Sequence, residues 1–412
     1  MEKGTQKMNV AIMGFGVVGS GVAEVIAGNA DHIAKHSQVD LRLSHILDIR
    51  EFPDSAFAGY MTKDVNDILS DDNTQIVVET MGGVEPAFTF VSACLKKGKH
   101  VVSSNKELVA KKGDVLLRLA RENNVNFLFE AAVGGGIPII RPLSVCLAAN
   151  RVQQIAGILN GTTNFILSKM ITDNMDFAAA LRLAQEKGYA EKDPTADVEG
   201  IDACRKICIL ASLASGKHVF PDGILTEGIS ALTADDVRCA ALFGCVIKLI
   251  ARATRLGDGR WCLTVSPALV PQNHMLAGVS GVFNACLVRG DMVGDVLMYG
   301  QGAGKLATAS AVVADVIDCA LHADTPKVFG WGEADPAMLA DPMTVEAKLF
   351  VRAATENKAA AIERVSAALP GCTFAETGDG ELALITPAQP EGALRARIAS
   401  LGLSEASVIR LF

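Results

Sequence analysis

Short apolar blocks alternate with longer amphipathic segments along the first third of the chain. Residues 9–13 read as a buried strand, a glycine-rich turn follows, and 17–27 have the apolar spacing of a helix. Strand, tight turn and helix form the opening unit of a parallel sheet. More strand blocks fall at 41–47, 76–78, 100–102 and 126–129, with helical segments such as 86–97 and 113–122 between them. The alternation predicts right-handed crossovers and a doubly wound α/β sheet of Rossmann type over residues 8–142, whose ligand lies beyond the carboxyl ends of the strands. Those ends read ETMGG, SSNKE and EAAVGGG.

After Pro142 the period changes. A strand at 151–159, the polar turn NGTTN and a helix to Met170 lead into mixed helices and strands up to about Tyr299. An α+β substrate and dimerisation domain is predicted over 143–302, with a helix near 303–323 returning to the first domain. The segments 348–354, 359–369, 372–376, 381–386, 391–401 and 406–411 read β, α, β, β, α, β, a split βαβ order. They predict a C-terminal domain over 343–412, joined through the Pro- and Asp-containing stretch 335–342.

With 412 residues, half of them hydrophobic and a fifth charged, the chain has material for a large core and about three domains. Its net charge of −8 includes no basic run, which argues against a nucleic-acid partner. The ten cysteines sit singly in apolar runs as small hydrophobes, without paired metal spacing, and fit a reducing cytoplasm. The opening MEKGTQKMNV does not read as an export leader, and no stretch offers the roughly 18 apolar residues of a membrane helix. A soluble cytoplasmic protein with no membrane partner is expected.

Gly14, Gly16 and Gly19, with Phe15, Val17 and Val18 between them, form G-x-G-x-x-G between a strand and a helix. Such a turn brings backbone amides onto a pyrophosphate at a helix N-terminus. Asp48 ends the second strand, where a carboxylate accepts hydrogen bonds from adenosine ribose hydroxyls, as NAD binding favours. Arg50, two residues on, suits the 2′-phosphate of NADP instead. A nicotinamide dinucleotide is expected, NAD(P) with a leaning to NAD.

The segment AQEKGYAEKDPTADVEGIDACRK, residues 184–206, carries the most chemistry. Asp202 and Lys206 are four apart on a helix whose same face continues into Ile209 and Leu213, so the pair ends an inward-facing apolar stripe. By pattern alone a surface salt bridge is the favoured reading of such an i,i+4 pair. The segment is similar to the signature of homoserine dehydrogenases, with Ala184, Gly188, Asp193, Pro194, Asp197, Gly200, Asp202 and Lys206 in register. The resemblance runs on through ETMGG, SSNKE, EAAVGGGIP, LNGTTNFIL and GQGAGKLATASAVVAD, over about the first 320 residues.

This resemblance implies an NAD(P)-dependent oxidoreductase interconverting L-homoserine and L-aspartate 4-semialdehyde, in threonine, methionine and isoleucine biosynthesis. It implies Lys206 and Lys106 as the catalytic lysines. A lysine can take the hydroxyl proton only if its pKa falls well below about 10.4, and burial or a second cation lowers it. Glu191 and Asp202, with Gly161 and Thr162 of NGTTN, are the implied substrate contacts. Glu79, Thr80, Gly82, Gly83, Ser103 and Asn105 would lie at the nicotinamide, and Gly302 with Gly304 would return to the cofactor, although Ala307 stands where the family often has proline. Glu130 with the carbonyls of Val133, Gly135 and Ile137 matches the family's site for a monovalent cation, which the resemblance implies is sodium, and oxygen donors suit such a hard cation. The family is usually dimeric through its second domain, so a homodimer or larger homo-oligomer is implied.

The C-terminal order is that of an ACT-like βαββαβ module, which many members carry for threonine feedback. Here the turn after its first strand reads ATENKAAA and lacks the Pro-Gly step that presents amides to a carboxylate, so a structural or dimerising module is expected. Two other readings remain on the residues alone. Aspartate-semialdehyde dehydrogenase shares such a sheet, but its chemistry needs an activated cysteine near a histidine. A non-catalytic NAD(P)-binding sensor would keep the glycine turn with no reason to keep Lys106, Lys206, Asp202 and Glu191 together.

Overall fold

The computed structural model describes residues 6–412. The chain divides into two compact units: the residues to Asn150 with Cys208–Pro221 and Gly300–Asp335, and Arg151–Ile207 with Asp222–Tyr299 and Pro336–Phe412.

In the first unit six parallel strands run in the order β3–β2–β1–β4–β5–β6: β1 (Gln6–Met13), β2 (Val39–Leu47), β3 (Met61–Thr62), β4 (Thr74–Glu79), β5 (His100–Ser103) and β6 (Phe127–Leu128). This doubly wound order reverses between β1 and β4, which opens a crevice beyond their carboxyl ends. The helices are α1 (Val17–Gly28), α2 (Ala30–Ser37), α3 (Val65–Ser70), α4 (Ala87–Lys96), α5 (Lys106–Glu122) and α6 (Ala131–Gly134). Val22, Ala23 and Ile26 of α1 pack into one core with Val10, Ile12 and Val78 of the sheet. The returning helix is α12 (Lys305–Leu321), which adds Ala309, Val312, Val313 and Val316 to that core.

Helix α5 starts two turns before the expected residue 113. The Asn105 side chain caps it by accepting the Leu108 amide at 3.1 Å. Gly113 lies mid-helix, where a β-carbon would come within 3.0 Å of the Trp331 ring, so its meaning is close packing and not a helix start. Helices α2 and α3 were not expected, because each buries a single apolar side chain, Ile33 and Ile68.

The second unit is built on a ten-stranded sheet: β7 (Val152–Ile158), β8 (Leu225–Thr226), β9 (Cys245–Arg255), β10 (Trp261–Pro271), β11 (Phe283–Gly290), β12 (Gly294–Gln301), β14 (Leu349–Ala354), β15 (Thr373–Phe374), β16 (Glu381–Ile385) and β18 (Ser404–Leu411). Two short strands, β13 (Glu346–Ala347) and β17 (Gln389–Pro390), pair separately. The helices are α7 (Gly161–Thr172), α8 (Phe177–Glu186), α9 (Thr195–Val198), α10 (Ile201–Ser215), α11 (Ala234–Leu242), α13 (Lys358–Ala368) and α14 (Glu391–Ser400). The main path runs β12–β11–β7–β9–β10–β18–β14–β16–β15, and β8 pairs with β10.

The C-terminal segments run β14, α13, β15, β16, α14, β18, with the short β13 and β17 added, and the last strand also pairs outside them. Ala268 and Leu269 of β10 lie opposite Arg410 and Leu411 of β18 in parallel register, so the two sheets are one. Side chains reinforce the join. Arg410, 2% exposed, donates to both oxygens of the equally buried Glu391 at 2.9 and 2.6 Å and also to Glu227, while Arg395 donates to Glu391 at 2.7 Å and Glu227 at 3.2 Å. Residues 208–221, the end of α10 and the segment after it, belong to the first unit, where the Gly332 amide donates to the Gly216 carbonyl at 2.9 Å, the His218 amide to the Gly332 carbonyl at 3.1 Å and Trp331 Nε1 to His218 Nδ1 at 3.1 Å.

Candidate functional site

The glycine turn needs its glycines. At Gly14 the backbone has φ +95°, and a β-carbon on Gly19 would lie 1.9 Å from the Gly14 carbonyl oxygen, so α1 can enter this close to β1 only without a side chain there. Gly16 is the N-cap of α1 and has no side chain to satisfy the helix amides, which leaves them to a ligand anion. Asp48 closes the turn from β2. Its carboxylate accepts the Phe15 amide at 2.7 Å and the Arg50 amide at 2.9 Å, and takes the Arg50 guanidinium at 3.0 and 2.9 Å. The Arg50 hydrogen bond, with the amides of Arg50 and Phe15 and against partial burial, holds Asp48 well below the usual carboxylate range.

Glu79, at the end of β4, is fully buried, and its carboxylate is used by the loops. It accepts Ser103 Oγ at 2.6 Å, the Met81 amide at 2.8 Å and, more weakly, the Gly82 amide and Asn105 Nδ2, each at 3.4 Å. Burial pushes its pKa up against these four donors. Asn105 also donates to the Gly83 carbonyl at 2.6 Å, and Thr80 Oγ1 donates to that of Gly14 at 2.8 Å. Glu79, Thr80, Gly82, Ser103 and Asn105 are therefore one network tying β1, β4 and β5 at the crevice, and Lys106 follows it as the first residue of α5.

Glu130 precedes α6. Its carboxylate accepts the amides of Ile139 at 2.6 Å, Ile140 at 2.7 Å and Arg141 at 2.8 Å. Val133 and Ile137 are buried, and a β-carbon on Gly135 would touch the Gly302 carbonyl at 2.3 Å, so Gly302 is brought against this segment. Among the described residues no group of three or more His, Cys, Asp or Glu side chains is placed to hold a metal.

The second unit gathers the polar signature. Lys206, 7% exposed on α10, donates from Nζ to Asp202 Oδ2 and to the Leu159 carbonyl, both at 2.7 Å. Asn160 caps α7 by accepting the Thr163 amide at 2.9 Å, and its Nδ2 donates to Asp202 at 2.9 Å and Asp197 at 2.7 Å. Asp202 and Lys206 thus form a buried pair, not the exposed salt bridge the spacing alone allowed. A β-carbon on Gly161 would lie 2.7 Å from the Val282 carbonyl, and Thr162 Oγ1 donates to the Tyr189 carbonyl at 2.7 Å. Glu191 stands on the exposed loop after Tyr189, its carbonyl accepting Gln185 Nε2. Two residues of this region were not expected from the sequence. Asn160 was visible only as a turn residue, and Lys248 was one of two charges, with Arg252, in the strand VIKLIARA, with no signal that it is 3% exposed.

Comparison with known proteins bears on this arrangement. The family model described as homoserine dehydrogenase matches residues 138–317, and that described as homoserine dehydrogenase, NAD binding domain, matches 14–130. A homoserine dehydrogenase of Neisseria gonorrhoeae is 44% identical over 326 residues, 77% of this chain and 74% of that relative. The chain belongs to the homoserine dehydrogenase family. Its members are NAD(P)-dependent oxidoreductases, so the sensor and aspartate-semialdehyde dehydrogenase readings fall away. The crystal structure of a homoserine dehydrogenase from Thiobacillus denitrificans superposes with a TM-score of 0.89 at 37% identity, covering 99% of both chains. A hyperthermophilic archaeal homoserine dehydrogenase mutant in complex with NADPH matches with a TM-score of 0.65 at 28% identity, over 77% of this chain and 98% of that one. Among the described residues no helix is long and apolar enough to cross a membrane.

Proposed function

We propose that Lys206 is the proton-transfer residue for the interconversion of L-homoserine and L-aspartate 4-semialdehyde. The observation that carries this is its burial with Asp202 and the Leu159 carbonyl, all within 2.7 Å. Asp202 and the Leu159 carbonyl fix the direction of the Lys206 N–H bonds. In the reducing direction the aldehyde oxygen gains negative charge and the Lys206 ammonium protonates it; in oxidation the neutral amine takes the hydroxyl proton back. The nicotinamide supplies or accepts the hydride. Lys106 assists by polarising the same oxygen. Asp202, Glu191, Gly161 and Thr162 take the amino-acid end of the substrate, whose ammonium requires acceptors.

The cofactor preference we infer is NAD: the Asp48 carboxylate faces the turn, and Arg50 is neutralised by it rather than free for a 2′-phosphate. The carbonyls of Val133, Gly135 and Ile137 have the donor chemistry for a monovalent cation. Three amides on Glu130 leave its carboxylate about one lone pair for that ion, which makes the ion's place structural. Assembly into a homodimer through the second unit is supported by Met292, Val293 and Tyr299, exposed at 81%, 49% and 53% on the edge strand β12 and the turn before it. The C-terminal segment is taken as an ACT-like fold with a structural role, and ten cysteines placed singly in apolar runs suit a cytoplasmic setting.

Replacing Lys206 with alanine tests the assignment. The kcat for homoserine oxidation should fall by roughly two to four orders of magnitude, as loss of a general acid/base implies, with NAD affinity unchanged. Near-normal turnover would return Asp202 and Lys206 to a structural ion pair.

A further inference from the structure

Lys248 is a buried cation facing no acid. It lies on β9, is 3% exposed, and donates from Nζ to the Val279 carbonyl at 2.6 Å and to Asn164 Oδ1 at 3.3 Å. Among the described residues no carboxylate lies within ion-pair distance of it. The charged groups of the helices packed on β9 are engaged elsewhere: Lys169 of α7 with Asp173, and Asp236 and Arg238 of α11 with Arg352 and Glu381. The imidazole of His274 accepts the Leu276 amide, burial lowers its pKa, and the Cys239 and Cys245 thiols are pushed up by burial. Burying an ammonium without a counter-charge is destabilising, and an apolar side chain of similar length would avoid that cost. Such a residue is expected where it serves something other than stability.

Its partners lead to the substrate turn. Asn164, the last residue of NGTTN, donates through Nδ2 to the carbonyls of Gly281 at 3.1 Å and Phe283 at 3.0 Å. Ser168, one turn on along α7, accepts the Gly281 amide at 3.0 Å and donates to the Asn164 carbonyl at 2.7 Å. Residues 279–283 are thus fastened to α7 and β9 at four points. Their Val282 carbonyl abuts Gly161 with no room for a methyl group, and the buried Asn284 Oδ1, which has no hydrogen-bond partner, lies 3.5 Å from where that methyl would be. A small movement of this segment therefore displaces Gly161 and Thr162 directly.

We propose that Lys248 is a positioning residue: its ammonium group pins Asn164 and residues 279–283, and through them sets the Asn160–Thr163 turn for the amino-acid end of the substrate. The role rests on the assignment of that turn to substrate binding. Burial alone lowers the Lys248 pKa to about 8, so the pin is a full cation below that pH and is neutral above it. The consequence is a homoserine KM that stays low below pH 8 and climbs above it, with cofactor affinity unaffected.

The test measures homoserine KM, kcat and NAD Kd between pH 6.5 and 10, with melting temperature, for the full-length wild type and Lys248→Met, Lys248→Arg and Thr162→Ala variants. The substrate's own amine titrates identically in all of them, so differences between variants report the protein. Lys248→Met should raise KM about tenfold at neutral pH, remove its alkaline climb and leave the melting temperature equal or higher. Should the methionine variant fail to fold, the arginine variant carries the test, since its permanent charge should hold KM flat through pH 10. A lower melting temperature with unchanged KM in Lys248→Met, or an alkaline climb retained in Lys248→Arg, overturns the proposal. If Thr162→Ala raises KM while neither Lys248 variant does, only the positioning role falls. If Thr162→Ala also leaves KM unchanged, the substrate assignment of the turn falls with it.

Discussion

Asp48 shows how one side chain can serve the turn and the ligand together. Its oxygens already accept two amides and a guanidinium, so it stays ionised far below neutral pH and presents a fixed negative charge at the end of β2. A ribose with two free hydroxyls can add donors to such a carboxylate, whereas a 2′-phosphate meets repulsion unless Arg50 leaves it. Replacing Asp48 with serine should weaken NAD by roughly ten- to a hundredfold, the worth of charged hydrogen bonds of about 1.5–3 kcal/mol. NADP should lose less, because the freed Arg50 can then pair with the phosphate. Fluorescence titration of both dinucleotides measures this, and equal losses would show that Asp48 does not choose between them.

Between elements, the sequence was legible where a local pattern had one physical meaning and silent where the partner came from elsewhere in the chain. The glycine turn was readable because strand, turn and helix leave few uses for three glycines so spaced, and Gly19 indeed has no room for a β-carbon. The 184–206 segment placed Asp202 and Lys206 at the end of an apolar stripe, but did not show the Asn160 amide that reaches Asp202 from the start of α7. Glu79 was placed at the cofactor by resemblance, while its carboxylate is spent on Ser103, Asn105 and two loop amides, contacts spread over about 25 residues. Helix α5 was shortened in the reading because Gly113 suggests a boundary, and Trp331, which explains that glycine, is far along the chain. The junction of α7 and α10 yields its own prediction. Asn160→Ala removes the N-cap, at a cost of about 1 kcal/mol, and also the donor shared by Asp197 and Asp202. A modest drop in melting temperature together with at least about a tenfold fall in kcat is expected, because misplacing catalytic groups is costly. Loss of stability with kcat intact would confine Asn160 to capping.

For the whole molecule, the consequential feature is the continuity of the last strand with the sheet of the second unit. A regulatory module must have two arrangements for a ligand to bias. Here β18 is paired with β10 on one side and β14 on the other, and the buried Arg410 joins the buried Glu391 of α14 to the half-buried Glu227 beside β8. A second ionic set fastens the same segment, since Arg352 of β14 donates to the fully buried Asp236 at 2.7 Å and Arg238 reaches Glu381 at 2.8 Å. Removing one partner of a buried charge set is strongly destabilising, so Arg410→Met should cost about 3–5 kcal/mol and lower the melting transition of the entire second unit. The turn after β14 is equally committed: Asn357 accepts the Ala360 amide at 3.0 Å to cap α13, and Lys358 donates to the Thr377 carbonyl. No Pro-Gly step presents free amides there to an amino-acid carboxylate. Threonine is therefore expected neither to inhibit nor to stabilise at millimolar concentration. A ligand present at a hundred times its dissociation constant adds about 2.7 kcal/mol to the native state, so binding of useful strength would be plain in a melting curve. Titrating threonine against wild-type activity and melting temperature, with Arg410→Met melted alongside, decides the matter. Strong inhibition with a rise in melting temperature would make the segment a sensor, and a separate early transition in Arg410→Met with the rest of the unit unchanged would make it an independent domain.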